Sequence, residues 1–175
     1  MEQDTIVFKA GSQDGIDEEG KEVIYSPLGT MWQLFNTASS HEGTVLFKTP
    51  YAISKNSCQE GMQLVLISHE GGNNYPALVG VINKLGGKYP DEWNNKNGQY
   101  FQPAKCFETF SATTCIELKN VRLVSNFDVE NYAYCPKSGD GQNASGLREG
   151  DSLKEALKRW EGSETNRVYF KRISD

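Results

Sequence analysis

The chain has 175 residues, 37% hydrophobic and 23% charged, with a formal net charge of −5. That size fits one domain, 1–175, able to bury roughly two-thirds of its unfolded surface without a staple. No apolar run nears the ~20 residues a membrane-spanning helix needs, and the charge argues against a broadly basic nucleic-acid-binding surface.

The opening MEQDTIVFK shows no basic region followed by an apolar one, so a cytoplasmic location is expected and no membrane partner. Four cysteines (Cys58, Cys106, Cys115, Cys135) and two histidines (His41, His69) form no CxxC or other zinc spacing. No metal or other cofactor is therefore expected, and the thiols are expected to be unpaired.

In chain order, Thr5–Lys9 reads as a strand and Gly11–Lys21, acidic and glycine-punctuated, as a loop. Ser26 and Pro27 fit the N-cap and first position of a helix whose Leu28, Met31, Trp32 and Phe35 share an apolar face. That helix should end within Asn36–Gly43. Thr44–Lys48 is a second strand. Met62–Ser68 is a continuous apolar run, the pattern of a strand buried on both faces. Glu70–Pro76 connects it as a hairpin to Ala77–Ile82.

Gly86–Gln102 is a long polar loop holding Tyr89, Trp93 and Tyr100, of a length more often functional or disordered than neutral. Thr113–Val124 is another strand, and Phe127–Tyr134 a short turn of helix. Pro136–Gly150 is a loop. Ser152 and Glu155 form a capping box for a helix with Leu153, Ala156, Leu157 and Trp160 on its buried stripe and Gly162 beyond its end. Val168–Ile173 closes the chain as a strand. Five or more strands with helices only at the flanks predict an α+β fold, a small curved or partly closed β-barrel.

Three separated segments carry a resemblance. They are Thr5–Gly15 (TIVFKAGSQDG), the strand pair LVLISHEG and ALVGVINK running into YPDEW (Leu64–Trp93), and Arg148–Trp160 (REGDSLKEALKRW). In that order they resemble the YTH and EVE domains of the PUA-like superfamily, over roughly Thr5 to Trp160. Ala10 stands where the family has serine, and Gly43–Gln59 has no counterpart.

The resemblance implies a nucleic-acid reader that captures a modified base in an aromatic cage. Trp32 and Trp93 match the cage tryptophans. Lys9, Asp14, Ser68 and Asn83 are the polar candidates near strand ends for reading the base edge. Arg148, Lys84 and Lys88 are candidates for holding phosphates. The implied partner is single-stranded RNA or DNA carrying a modified base, with association with, or fusion to, a larger effector protein compatible with the acidic charge. Such chemistry needs flat aromatic walls, because base stacking contributes about 1–3 kcal/mol per base, and an unpaired base to reach them.

Two other classes compete. A protein- or carbohydrate-binding module could use the aromatic loop Tyr89–Phe101. A cysteine hydrolase would need Cys58 with His69, or Cys106 with His41, but no local nucleophile signature is present. A binder without catalytic residues is the expectation.

Overall fold

A computed structural model describes residues 4–49, 53, 58–68, 74–87, 107, 114–135, 147–159 and 167–172. Its elements are β1 (Asp4–Lys9), β2 (Gln13–Ile16), β3 (Glu22–Tyr25), α1 (Pro27–Ser39), β4 (Val45–Thr49), β5 (Gln63–Ile67), β6 (Ala77–Gly86), β7 (Thr114–Val124), a 3-10 turn (Val129–Asn131), β8 (Tyr132–Tyr134), α2 (Leu153–Arg159) and β9 (Arg167–Arg172). Seven strands form one sheet in the order β4-β7-β6-β5-β1-β9-β8, and β2 and β3 form a separate hairpin.

The fold is α+β, as expected, but the sheet is open. β4 and β8 are its outer strands among the described residues, so the barrel expected from strand count and resemblance does not form. Alternation explains why. Ile6, Phe8, Leu64, Leu66, Leu78, Ile82, Ile116 and Leu118 point to one face, where Met31, Leu34 and Ala38 of α1 cover them. Val7, Val65, Ile67, Ala77, Val79 and Phe170 point to the other, under Leu153, Ala156 and Leu157 of α2. A small barrel has one apolar interior. This sheet has two apolar faces, each sealed by a helix, the layering typical of sheets with parallel pairs. β1 and β5 are such a pair, with Ile6 opposite Leu64 and Phe8 opposite Leu66. The chain between them runs through the hairpin, α1 and β4 as the long connection a parallel pair requires.

The expected antiparallel partnership of the two apolar runs is present, with Gln63 opposite Val81 and Ile67 opposite Ala77. All five residues of β5 are buried. Gly80, opposite Leu64, has a structural reason to lack a side chain. A Cβ there would stand 3.1 Å from Leu118 Cβ and 3.3 Å from Val121 Cγ2, closer than packed carbons normally approach. The register between β6 and β7 also shifts at Val79/Val81 and at Ile82/Lys84.

α1 starts where the sequence indicates. Ser26 Oγ accepts from the Gly29 amide at 3.0 Å, with Pro27 following. Its end is built by Glu42 and Gly43, both at positive φ, with the Gly43 amide returning to Ala38 O at 2.7 Å. His41 Nδ1 donates to Thr37 O at 2.7 Å, which makes it a cap for the last turn. Removing the N-cap hydroxyl leaves a first-turn amide to water alone. Ser26→Ala should therefore lower stability by about 1 kcal/mol, read as a shifted urea midpoint at unchanged slope; an unmoved midpoint would mean the cap contributes nothing.

Three sequence expectations need correction. Gly11–Lys21 is not simply a loop, because β2 and β3 pair across it around Asp17, whose Oδ1 accepts from the Glu19 and Lys21 amides at 2.9 Å each. Strands of four residues with Asp and Gly inside carry too little alternation to be read. The apolar face read for α1 is not the one it buries, since Leu28 and Trp32 are exposed. The inward face of α1 is Pro27, Thr30, Met31, Leu34 and Ala38, rotated from the stripe read in sequence. Phe127–Tyr134 holds a single 3-10 turn, but β8 follows it and pairs with β9, Tyr134 opposite Phe170.

Candidate functional site

Rotating α1 this way leaves Leu28 and Trp32 outside, 53% and 51% exposed, two of the three large apolar side chains so exposed among the described residues. Both, four residues apart on one helix face, border an open cleft of about 510 Å³. Gly29 forms the floor of the helix side, and Pro76, Leu123, Val124 and Ser125 form the sheet side. The sheet side arises from register, since Ala77 lies opposite both Ile67 and Val124. The ends of three strands and the start of a helix thus meet. The lining is mostly hydrocarbon with one indole wall, and such a cleft suits a flat, weakly hydrated ring. Trp32 also leans on Phe35, ring centroids 6.0 Å apart, which steadies the indole while leaving half of it open.

Tyr25, which sequence reasoning did not single out, supports the cleft from below. Its Cβ and Cδ1 lie within 3.7 Å of where a Gly29 Cβ would be. Its hydroxyl donates to Ile16 O at 3.0 Å, and its ring meets Phe107 edge-on at 5.3 Å. Leu123, Val124 and Pro76 carry no sequence signal beyond strand and turn. Pairing PAL against RLV in register would have brought them to Trp32, but register is invisible before the partner strand is known.

The sequence-predicted residues divide into groups. Lys9 and Ser68 lie at the cleft's end of the sheet. Lys9 is level with Ile67, and strand alternation puts its side chain on the α2 face, away from Trp32. Ser68 is buried, and its amide donates to Pro76 O at 3.0 Å, so it holds a cleft wall in place. Asp14 is on the hairpin, opposite Ile24, and exposed. Asn83 and Lys84 are six and seven residues along β6 from Ala77, roughly 20 Å toward the other end of the sheet. Arg148 is exposed near β8, its amide donating to Asp151 Oδ2 at 2.9 Å. Four strand spacings, about 19 Å, separate β8 from β6. Lys9, Lys84 and Arg148 are therefore not gathered at one rim. Trp93, Lys88 and the alternative loop Tyr89–Phe101 lie outside the described residues, as do His69 and Cys106.

Asn83 makes a hydrogen bond within the sheet. The register shift at Ile82/Lys84 sets it against β7, where its Nδ2 donates to Glu117 Oε1. Glu117 is only 5% exposed. A carboxylate at that depth needs a donor to offset lost hydration, and the bulge supplies one.

The charge is unevenly placed. Residues 13–25 contain Asp14, Asp17, Glu18, Glu19 and Glu22 against Lys21 alone, so the hairpin carries −4 of the chain's −5. The rest, seventeen basic against eighteen acidic residues, is nearly neutral. Comparison with known proteins adds nothing to this geometry, because no family model, no curated protein and no solved structure matches the chain.

Proposed function

We propose that the domain is a binding module that captures one flat, largely apolar ring in the Trp32 cleft, the ring being a modified base offered by single-stranded RNA or DNA. The observation that carries this reading is the half-exposed indole standing on an open hydrocarbon cleft. A tryptophan left in water beside such a cleft gains most when a π face covers it, and an added methyl group on a base gains from the Leu28, Pro76 and Leu123 hydrocarbon. The resemblance of the segments around Lys9, Gly80 and Arg148 to YTH and EVE domains points to the same ligand class. The near neutrality of the chain outside the hairpin removes the objection that the net charge raised. Binding without an assigned catalytic residue is all that this cleft requires.

With Arg148 and Lys84 distant, a strand threading the cleft meets few cations among the described residues. Its salt dependence should be shallow, with a slope between about −1 and zero in log K against log salt. The experiment is a fluorescence titration with paired methylated and unmethylated nucleosides, then short oligonucleotides carrying them. Methylated members should quench Trp32 emission, identified by its loss in Trp32→Phe, at lower concentration than their parents. No quenching by any nucleoside at millimolar concentration would remove the base-reading assignment.

A further inference from the structure

The register of the β2–β3 hairpin sorts its side chains into two faces. Gln13, Gly15, Val23 and Tyr25 share one, and Asp14, Ile16, Glu22 and Ile24 the other. The first is turned toward the body of the protein, with Tyr25 packed on Phe107 and the core. The second is open. Ile24 is 74% exposed, the most exposed large apolar side chain among the described residues, with exposed Asp14 directly opposite and exposed Glu22 two residues before it.

We infer that this outer face is a docking surface for a lysine- or arginine-rich protein segment with aliphatic anchors, separate from the Trp32 cleft. Charge selects the occupant. The hairpin carries −4, and Asp17 alone of its acids is engaged in building the turn. Glu19 has Lys21 at 3.6 Å, whereas Asp14, Glu18 and Glu22 have no cation beside them among the described residues. A second copy would bring another −4 against it, and a nucleic acid would bring phosphates, so both are repelled at this face. A neutral apolar partner would bury Asp14 and Glu22 without compensation. A cationic segment pairs them while its aliphatic side chains cover Ile24 and Ile16. On each strand acid and isoleucine alternate two residues apart, about 6–7 Å, so a segment alternating cation and aliphatic residue matches both.

The test is fluorescence anisotropy with labelled (Lys-Leu)4, using (Glu-Leu)4 and octalysine as controls, at low and moderate salt. The wild type should bind (Lys-Leu)4, at least tenfold more tightly than octalysine, and should not bind (Glu-Leu)4. Ile24→Ser should weaken it about tenfold. Asp14→Lys/Glu22→Lys should abolish it, and the milder Asp14→Asn/Glu22→Gln, which preserves side-chain size, should weaken it severalfold and flatten the salt dependence. Trp32→Ala should leave peptide affinity unchanged, which separates this surface from the base-binding cleft, and nucleoside quenching should in turn survive Ile24→Ser. The inference is overturned if the charge variants bind as the wild type does, if octalysine binds equally well, or if Trp32→Ala alone abolishes binding. Concentration-dependent dimers dispersed by Ile24→Ser in sedimentation would assign the face to a second copy and overturn it likewise.

Discussion

Leu64→Ala is expected to lower unfolding free energy by about 2–5 kcal/mol. Leu64 is fully buried in β5, an interior strand of the sheet, directly opposite Gly80 and level with Ile6 on β1. Its neighbours cannot easily relax into the space. On one side Gly80 has no side chain to move, and the β7 residues beside it, Leu118 and Val121, already sit within 3.3 Å of its missing Cβ. On the other, Ile6 is fixed in a strand hydrogen-bonded on both edges. Above, Met31 and Leu34 are locked on α1. The cavity therefore stays largely open, which is the condition for a cost toward the upper end of the range. For a domain of this length that is a fall in melting temperature of roughly 5–15 °C. Urea unfolding should show the midpoint moving at unchanged slope. A loss under 1 kcal/mol would mean that α1 does not seal this face.

The same region shows how far the sequence can be read. Met62–Ser68 has the pattern of a strand buried on both faces, and β5 is one. That pattern is itself incompatible with a small barrel, whose strands alternate between interior and exterior, so the local signal was correct while the architecture inferred from strand number was not. Caps were legible because they depend on neighbouring residues only, as Ser26 with Gly29 and Ser152 with the Glu155 amide at 3.1 Å demonstrate. The phase of α1 was not. Leu28, Met31, Trp32 and Phe35 satisfy helical spacing, but so do Pro27, Thr30, Met31, Leu34 and Ala38, and only the sheet beneath decides which face turns inward. The hydrogen bond of Asn83 was illegible for a similar reason. Its partner Glu117 is thirty-four residues away and meets it only through a bulge, a feature with no sequence signature here. Within the candidate site, the resemblance singles out Trp32, whereas the sheet side of the cleft depends on register and has no sequence signature.

Trp32→Ala is expected to separate binding from stability. If the indole stacks on a base, its loss should weaken nucleoside or oligonucleotide binding by about 1–3 kcal/mol, roughly 5- to 150-fold. The cost to folding should be well below that of Leu64→Ala, because half of the indole is already in water and the rest leans mainly on Phe35, itself only partly buried. An area-based loss of about 1 kcal/mol or less is consistent with that exposure, and alanine's helix propensity offsets part of it. The contrast with Met31, the neighbouring helix residue, sharpens the test. Met31→Ala removes a fully buried side chain and should cost about 2–5 kcal/mol with no direct effect on the ligand. Trp32→Phe should keep part of the affinity, since a smaller π face remains on the same helix face. The decisive outcome is the behaviour of Trp32→Ala in paired unfolding and titration experiments. Intact folding with lost binding fits a recognition wall. Intact folding with unchanged binding would move the ligand away from this cleft, and unfolding as severe as that of Met31→Ala would return Trp32 to the core.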